Sequence, residues 1–424
     1  MKRDYLLNGE TARILYNKYA KDLPIIDFHN HVSVADIKSD KRFKSITELW
    51  IASDPYKHRL MRISGVDERY ITGDATDYER FEKFAEIFPL LVGTSVYDWS
   101  RMELSYIFGI EKPLCPQNAS EIYEEANRRL AEPSFTNNKI LERFNIEYQS
   151  PVFSLTDDIS AVCTKGIAPS MRGDDLLSPD EKTKAAISEK SGVNITDEDS
   201  YFEAIRVLLW RFDTLGCRFA DHALDDGFFK DEEKRGRLIR LAVEYSRIGW
   251  TLLLHIGAKR KTSERLRALA GTAGGYAAVG NSFDVSALCD TLAEMELAGG
   301  LPRTVLFPLN MSDVHAFSVL EGSFSEEGVA GKIQLGPAWW WCDHYHGIRA
   351  VLDSVASFGV LSRFIGMTTD SRSILSFVRH DYFRRIFCSW IAEKNEREGW
   401  DLDVASLGII VKKVCYENAK ERII

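Results

Sequence analysis

Cysteine is scarce: seven in 424 residues, at positions 115, 163, 217, 289, 342, 388 and 415. They are scattered, odd in number and form no CxxC pair. That argues against a disulfide framework and a cysteine-built zinc site, and fits a reducing cytoplasm. No apolar run approaches the roughly 18 residues that a membrane helix needs, so no spanning segment is predicted. The opening stretch MKRDYLLNGETARILY carries charge throughout and has no continuous apolar centre, so no secretory leader is predicted. Basic charge is not in excess: 63 acidic residues face 54 basic ones, a net charge of −9. Without a clustered basic patch, nucleic acid is not a predicted partner, and a small anionic substrate would need local Arg or Lys against the overall field. Low-complexity segments and close repeats are absent. With 45% hydrophobic and 28% charged residues, the composition is that of a globular chain.

One pattern does recur. An amphipathic helix-like stretch ends at glycine and an apolar run follows at once, as in YFEAIRVLLWRFDTLG-CRFADH and KDEEKRGRLIRLAVEYSRIG-WTLLLHIG. Gly216, Gly249, Gly300 and Gly359 are the predicted helix-ending glycines, a role that rests on the left-handed conformation. Short apolar runs between helices read as strands buried on both faces of a parallel sheet. Eight are predicted, at 24–31, 147–157, 165–172, 217–222, 251–257, 304–310, 332–340 and 363–371. Eight strands alternating with helices predict an α/β chain folded as a (β/α)₈ TIM-type barrel. A doubly wound open sheet is the alternative, but no GxGxxG follows the first strand. Residues 1–424 read as a single barrel domain, with a helical insertion over about 38–142, after strand one. There TDYERFEKFAEIF and ASEIYEEANRRLAE have helical character, and Asn118 is the predicted N-cap of the second.

The strand ends carry His29, His31, Asp157, Asp158, Arg172, Asp221, His222, His255, Asn310, Trp339, Trp340, Asp370 and Arg372. Barrel active sites form at that face. In Asp27-Phe28-His29-Asn30-His31, residues i and i+2 of a strand point to the same side, so two imidazoles can chelate one metal ion. A second HxH, His344-Tyr345-His346, follows the tryptophan run and reads as loop or helix start. Asp370 is a candidate metal ligand, general base or helix cap; a carboxylate with two imidazoles suits Zn²⁺, Mn²⁺ or Fe²⁺. His255, ending an otherwise apolar strand, is a fourth ligand or a close neighbour. No Lys ends the third or fourth strand, which argues against a carbamylated-lysine bridge and a two-metal site. Arg172 is a candidate anion clamp or the partner of Asp174 or Asp175. Arg372 can bind a carboxylate bidentately. Trp339 and Trp340 can floor a sugar pocket or pack in the core. His58, His315 and His380 lie in helix-like stretches and read as structural or exposed.

The chain resembles the uronate isomerases, outlying members of the metal-dependent amidohydrolase superfamily. The resemblance runs nearly end to end, through YLLNGETARILY, PIIDFHNH, ITELWIASDPYKHRLMRISGVDERYITG, VYDWSRMELSYIFGI, IAPSMR, GCRFADH, GWTLLLHIGAKR, GVAGKIQLGPAWWW, FIGMTTDSRSILSFVRHDYFRRI and CYENAKERI. It implies a (β/α)₈ barrel that interconverts D-glucuronate with D-fructuronate and D-galacturonate with D-tagaturonate. It further implies one divalent metal ion, most simply zinc, on His29, His31 and Asp370, with His255 on or near it. Tyr56, Arg172, Trp339, Trp340 and Arg372 match family positions associated with substrate. Three places depart from the pattern: Pro55 stands where the family has His, Lys261-Thr262-Ser263 where it has a run of Asn, and Val32-Ser33-Val34 where a Pro is common. These changes spare the metal triad and touch the substrate shell.

Aldose–ketose isomerisation moves a proton between C2 and C1 through an enediol(ate). Asp370, in relay with Tyr56, is the expected base, and the metal ion and Arg372 would stabilise negative charge on the neighbouring oxygens. The alternatives are a metal-dependent hydrolase, an isomerase of a different sugar acid and a uronate-binding protein without catalysis. Expected partners are a small hexuronate, no nucleic acid and no membrane, with homo-oligomerisation left open.

Overall fold

The computed structural model describes residues 4–159, 162, 165–272 and 274–424; Cys163 lies outside the described residues. Seven strands form one sheet: β1 Ile25–Asn30, β2 Ile146–Ser154, β3 Ser170–Arg172, β4 Phe219–Leu224, β5 Thr251–Ile256, β6 Arg303–Pro308 and β7 Ile333–Leu335. They stand in sequential order and every neighbouring pair is parallel. A doubly wound sheet reverses its order part-way; this one does not. The strands are apolar because helices cover them outside and side chains fill the interior, where the Phe28 ring meets those of Phe219 and Phe307.

The predicted eighth strand, 363–371, is not a ladder strand. It runs beside β1, joined by two backbone bonds, Asp370 N–H to His29 O (3.1 Å) and His31 N–H to Ser371 O (2.9 Å). Two features break the ladder. Gly366 takes φ +88°, and a Cβ there would lie 2.1 Å from the Val414 carbonyl oxygen. The Thr369 N–H donates to the Asp27 carboxylate (2.7 Å) instead of to a neighbouring strand.

Between β1 and β2 the chain is helical, as predicted, with its longest helices at Asp77–Ile87, Ser95–Phe108 and Ala119–Leu130. Trp50, Phe81, Phe84 and Trp99 from this stretch share one apolar cluster with residues of the barrel wall. Thr76 and Glu79 form a reciprocal capping box on the first of these helices. Asn118 does not cap the third with its side chain; it accepts from Cys115 N–H (2.9 Å), fixing the preceding turn.

Gly216, Gly249 and Gly299 end helices at φ +83°, +74° and +88°. The third replaces the predicted Gly300. Gly359 is extended instead, and its small size has another cause: a Cβ would sit 2.2 Å from the Glu321 carboxyl. Burial pushes the Glu321 carboxyl up from 4.5 to about 7, although it accepts from Leu335 N–H. The folded state therefore holds this proton more tightly than the unfolded chain. Its stabilising contribution is full below about pH 4.5 and is lost as pH rises to about 7. The variant Glu321→Gln is expected to match the parent in melting temperature at pH 4.5 and to exceed it increasingly up to pH 7. A pH-independent difference in thermal melts would refute this.

Candidate active site

His29 is the fifth residue of β1 and His31 lies one residue past its end, so alternation turns both imidazoles toward the same mouth of the barrel. The eighth segment brings Asp370 to them: its Oδ1 lies 3.3 Å from His29 Nε2 and 3.0 Å from His31 Nε2. The other oxygen, Oδ2, accepts from the Trp339 indole N–H. Burial works against the Asp370 charge, yet the two imidazoles hold its pKa well below the usual carboxylate range. Burial also opposes charge on both imidazoles; Asp221 and Asp370 outweigh it at His29, whose pKa is raised, whereas at His31 burial prevails and the pKa is lowered. Asp370 and Trp340 hold φ +43° and +49°, left-handed values that a side chain adopts at a cost of about 1–3 kcal/mol each. The packed barrel mouth imposes them.

His255 ends β5 beside this group, its ring 4.8 Å from that of His29 and 4.6 Å from that of Trp339. Its Nδ1 faces Asp221 Oδ1 at 2.5 Å. That partner keeps the proton on Nδ1, so Nε2 offers a lone pair. His255 Nε2 is buried with no hydrogen-bond partner among the described residues. Two sets of side chains are thus spaced to hold a metal ion, His29 with His31 and Asp370, and His29 with Asp221 and His255; in each set the donor atoms lie within 4.8 Å of one another. Convergent imidazole and carboxylate donors, with an orphaned imidazole nitrogen beside them, fit one divalent cation.

Asp221 was legible only as a polar strand end. Its sequence neighbour His222 points to the other side of β4, where its Nε2 meets the Tyr245 hydroxyl at 2.9 Å. The strand's period of two separates these residues and could have assigned Asp221 to the cavity.

The cavity, about 930 Å³, is lined by His29, His31, Tyr56, Arg172, Asp221, His255, Trp339, Trp340, Asp370 and Arg372, so the candidate metal ligands and the candidate substrate residues meet in one place, whereas His222, Asn310, Asp157 and Asp158 do not line it. Arg172 Nε donates to Asp174 (3.0 Å), the pairing that its neighbourhood suggested. Burial opposes its charge, but Asp174, Asp221 and Asp370 raise its pKa. Arg372 is exposed at the mouth and has no ion-pair partner among the described residues. The second HxH lies apart: His344 caps the helix Tyr345–Phe358 by accepting from Gly347 N–H, and His346 is exposed. Asn310 and Asp157 accept from nearby backbone N–H groups in their own turns. His58 and His380 are buried, and His315 is exposed, with its Nδ1 3.0 Å from the Ser354 hydroxyl.

Two residues that sequence reasoning did not single out adjoin Tyr56. Tyr56 is the second residue of the helix Pro55–Ile63, and its hydroxyl donates to Asp343 Oδ2 at 2.9 Å. Arg379 Nη1 lies 3.4 Å from the same oxygen, and its guanidinium sits 3.8 Å over the Trp99 ring and 4.9 Å over the Tyr56 ring. Burial raises the Tyr56 pKa well above its usual value, and Asp343 adds to the effect.

The family model described as glucuronate isomerase matches residues 1–237 and 231–422. A uronate isomerase of Caldanaerobacter subterraneus subsp. tengcongensis is 38% identical, over 99% of this chain and 98% of that protein. The chain belongs to the glucuronate isomerase family. A crystal structure of a uronate isomerase from Thermotoga maritima, 27% identical, superposes with a TM-score of 0.91 over 100% of this chain and 99% of that one. A glucuronate isomerase from Caulobacter crescentus, 23% identical, shares the fold, with a TM-score of 0.89 over 100% of this chain and 96% of that one.

The residues at the three places where the sequence was expected to depart from the family pattern each have a local structural role. Ser33 caps the helix Val34–Lys38 by accepting from Asp36 N–H. Ser263 caps the helix Glu264–Ala270 in the same way, and Thr262 Oγ1 donates to the Tyr276 carbonyl, which leaves Lys261 to line the cavity. Pro55 begins its helix, and its carbonyl is where the loop carrying these residues docks. Gly275 approaches it at φ +78°, so closely that a Cβ would lie 2.2 Å from Pro55 O. Arg59 Nη1 secures the loop through the Gly275 and Ala277 carbonyls (3.4 and 3.3 Å).

Proposed function

We propose that this chain interconverts an aldohexuronate and its 2-ketose, D-glucuronate with D-fructuronate and D-galacturonate with D-tagaturonate, through an enediol(ate). The observation that carries the reading is the Asp370 carboxylate, gripped between two imidazoles and an indole N–H at the inner end of a cavity large enough for a sugar acid. Asp370 is the base that takes the C2 proton and returns it at C1. The hydroxyl protons must move too, since the ketose carries its carbonyl at C2; Tyr56 is the second proton carrier in the cavity. Arg372, unpaired at the mouth, stabilises negative charge on the sugar oxygens. Arg172 has donors to spare beyond its bond to Asp174 and clamps the C6 carboxylate or a hydroxyl. Trp339 and Trp340 floor the pocket.

His29, His31 and Asp370, with His255 beside them, would hold one divalent ion, zinc by donor type, with manganese and iron as the other fits. Such an ion supplies Lewis-acid stabilisation of an oxyanion when bound. We read residues 1–424 as one barrel domain with a helical excursion, because both share an apolar core. A cytoplasmic setting is supported by the six free cysteines of the described residues. No described helix is long and apolar enough to cross a membrane.

The test follows purified protein, of measured metal content, with either hexuronate in D₂O by NMR. Ketose formation with solvent deuterium at the exchanging carbon is expected. Metal-loaded protein that leaves both sugars unchanged would refute the reading; release of acid from lactones or esters would point to a hydrolase instead.

A further inference from the structure

Asp343 is a buried carboxylate, 4% exposed, in the turn after the tryptophan run. One of its oxygens, Oδ2, accepts from the Tyr56 hydroxyl and faces the Arg379 guanidinium. Its other oxygen, Oδ1, is buried without a hydrogen-bond partner among the described residues. A carboxylate serving only to anchor a cation would use both oxygens on it. Here the cation is offset, held over Trp99 and Tyr56 and bonded also to the Thr369 carbonyl at 3.4 Å. The best-made contact of Asp343 is with the phenol, which comes from the helical insertion, while Asp343 comes from the barrel.

We propose that Asp343 is the positioning residue for Tyr56: its carboxyl, steadied by Arg379, fixes the phenol in the cavity and exchanges a proton with it. The inference rests on the isomerase reading given above. The step balances. When Tyr56 gives its proton to a sugar oxygen, the Asp343 carboxyl proton passes to the phenolic oxygen, leaving a carboxylate beside Arg379. The reverse transfer accepts a proton from the other sugar oxygen and restores both groups. Only O–H bonds break and form, and no oxidant or reductant is needed.

Burial pushes the Asp343 carboxyl up to about 7, which leaves both protonation forms available near neutrality. The groups that set this balance are Arg379 and Tyr56, which lower it, and Asp370, which raises it; Asp54 and Glu103 act on Arg379 from the insertion. A tyrosine bonded to a permanently charged carboxylate would keep its proton turned away from the sugar.

The experiment is a double-mutant cycle in the metal-loaded enzyme, with Tyr56→Phe, Asp343→Asn and the pair, read as kcat and KM for the hexuronate that the parent turns over. Asp343→Asn is expected to lower kcat about 10–100-fold with KM changed less than about threefold and metal content unchanged. The pair is expected to be no slower than Tyr56→Phe alone. Losses that multiply in the pair would overturn the inference, because a merely structural carboxylate acts independently of the phenol. If Asp343→Asn does not fold, Tyr56→Phe decides alone. The parent's kcat profile should show an ionisation near pH 7 that Tyr56→Phe lacks, and its persistence would overturn the proposal. A parent enzyme with no turnover overturns both this and the isomerase reading; turnover with an additive cycle overturns this one only.

Discussion

Replacing Asp370 by Asn is expected to lower turnover by at least about 10²–10⁴-fold, the range that a positioned acid–base group supplies. The amide keeps the shape of the carboxyl and can still accept from the Trp339 indole, but it cannot take a proton from carbon. The measurement is kcat for a hexuronate together with wash-out of the C2 proton into D₂O. Both should fall together, because both depend on the same abstraction. Metal content belongs beside them. Asp370 Oδ1 stands against His29 and His31, so a variant that loses activity through loss of the ion would be restored by excess Zn²⁺ or Mn²⁺. Activity that stays near native would sink the assignment of Asp370 as base.

The second large effect lies one layer deeper, at Asp27. This carboxylate is fully buried and takes bonds from Thr369 N–H (2.7 Å), Thr369 Oγ1 (2.8 Å), Asn30 Nδ2 (2.7 Å) and His380 Nε2 (3.1 Å). Burial alone would raise its pKa; the donors, His380 first among them, hold it lowered. Asp27 thereby pins the segment that carries Asp370 against the strand that carries the two histidines. In Asp27→Asn one donor group would face other donors with no water to relieve them. A loss of about 3–5 kcal/mol in stability is expected, the scale for breaking a buried ionic cluster from one side. Metal affinity should fall about 10–100-fold, as when other outer-layer partners of metal ligands are removed. Urea unfolding should show a lowered midpoint at unchanged slope. A midpoint equal to the parent's would mean that the segment is held by something else.

The parts of this site that were legible follow short-range rules. His29 and His31 share a side because strand residues alternate, and their apolar lead-in marked a strand. Asp370, Arg372, Arg172, His255 and the tryptophans were found because strand ends gather at one barrel mouth. What was not legible depends on partners far along the chain. The helix Val378–Arg397 carries so much charge that it reads as a solvated face, yet Arg379, His380, Arg384 and Arg385 are all buried. Each has a partner far along the chain: Arg379 in Asp343, His380 in Asp27, Arg384 in the Leu23 and Pro24 carbonyls, and Arg385 in Tyr16, beside the Asp381 of its own helix. No local periodicity announces such pairs. Asp343 was masked in the same way by the tryptophans before it. The eighth strand was over-read for the opposite reason: FIGMTT has strand composition, but its backbone is claimed by a side chain from β1. Gly359 was a correct glycine with the wrong cause, because the carboxyl that needs its space lies 38 residues earlier, at Glu321.

The closing segment has a consequence for the making of the protein. His29 and Thr368, which bond to each other, are 339 residues apart. At roughly 5–20 residues per second of synthesis, the interval between them on the ribosome is about 17–70 s. Through that time Asp27 has emerged while the Thr369 and His380 groups that neutralise its burial do not yet exist. The first strand can therefore be sheathed by its neighbour β2 but cannot settle permanently into a closed interior, and the nascent barrel stays open along this seam. Completion of the donor set around the histidine pair and sealing of the barrel become one late event, confined to the last stretch of the chain. Ribosome-bound chains stopped before residue 368 should accordingly be sensitive to protease along β1, and chains long enough to have released residue 380 should not.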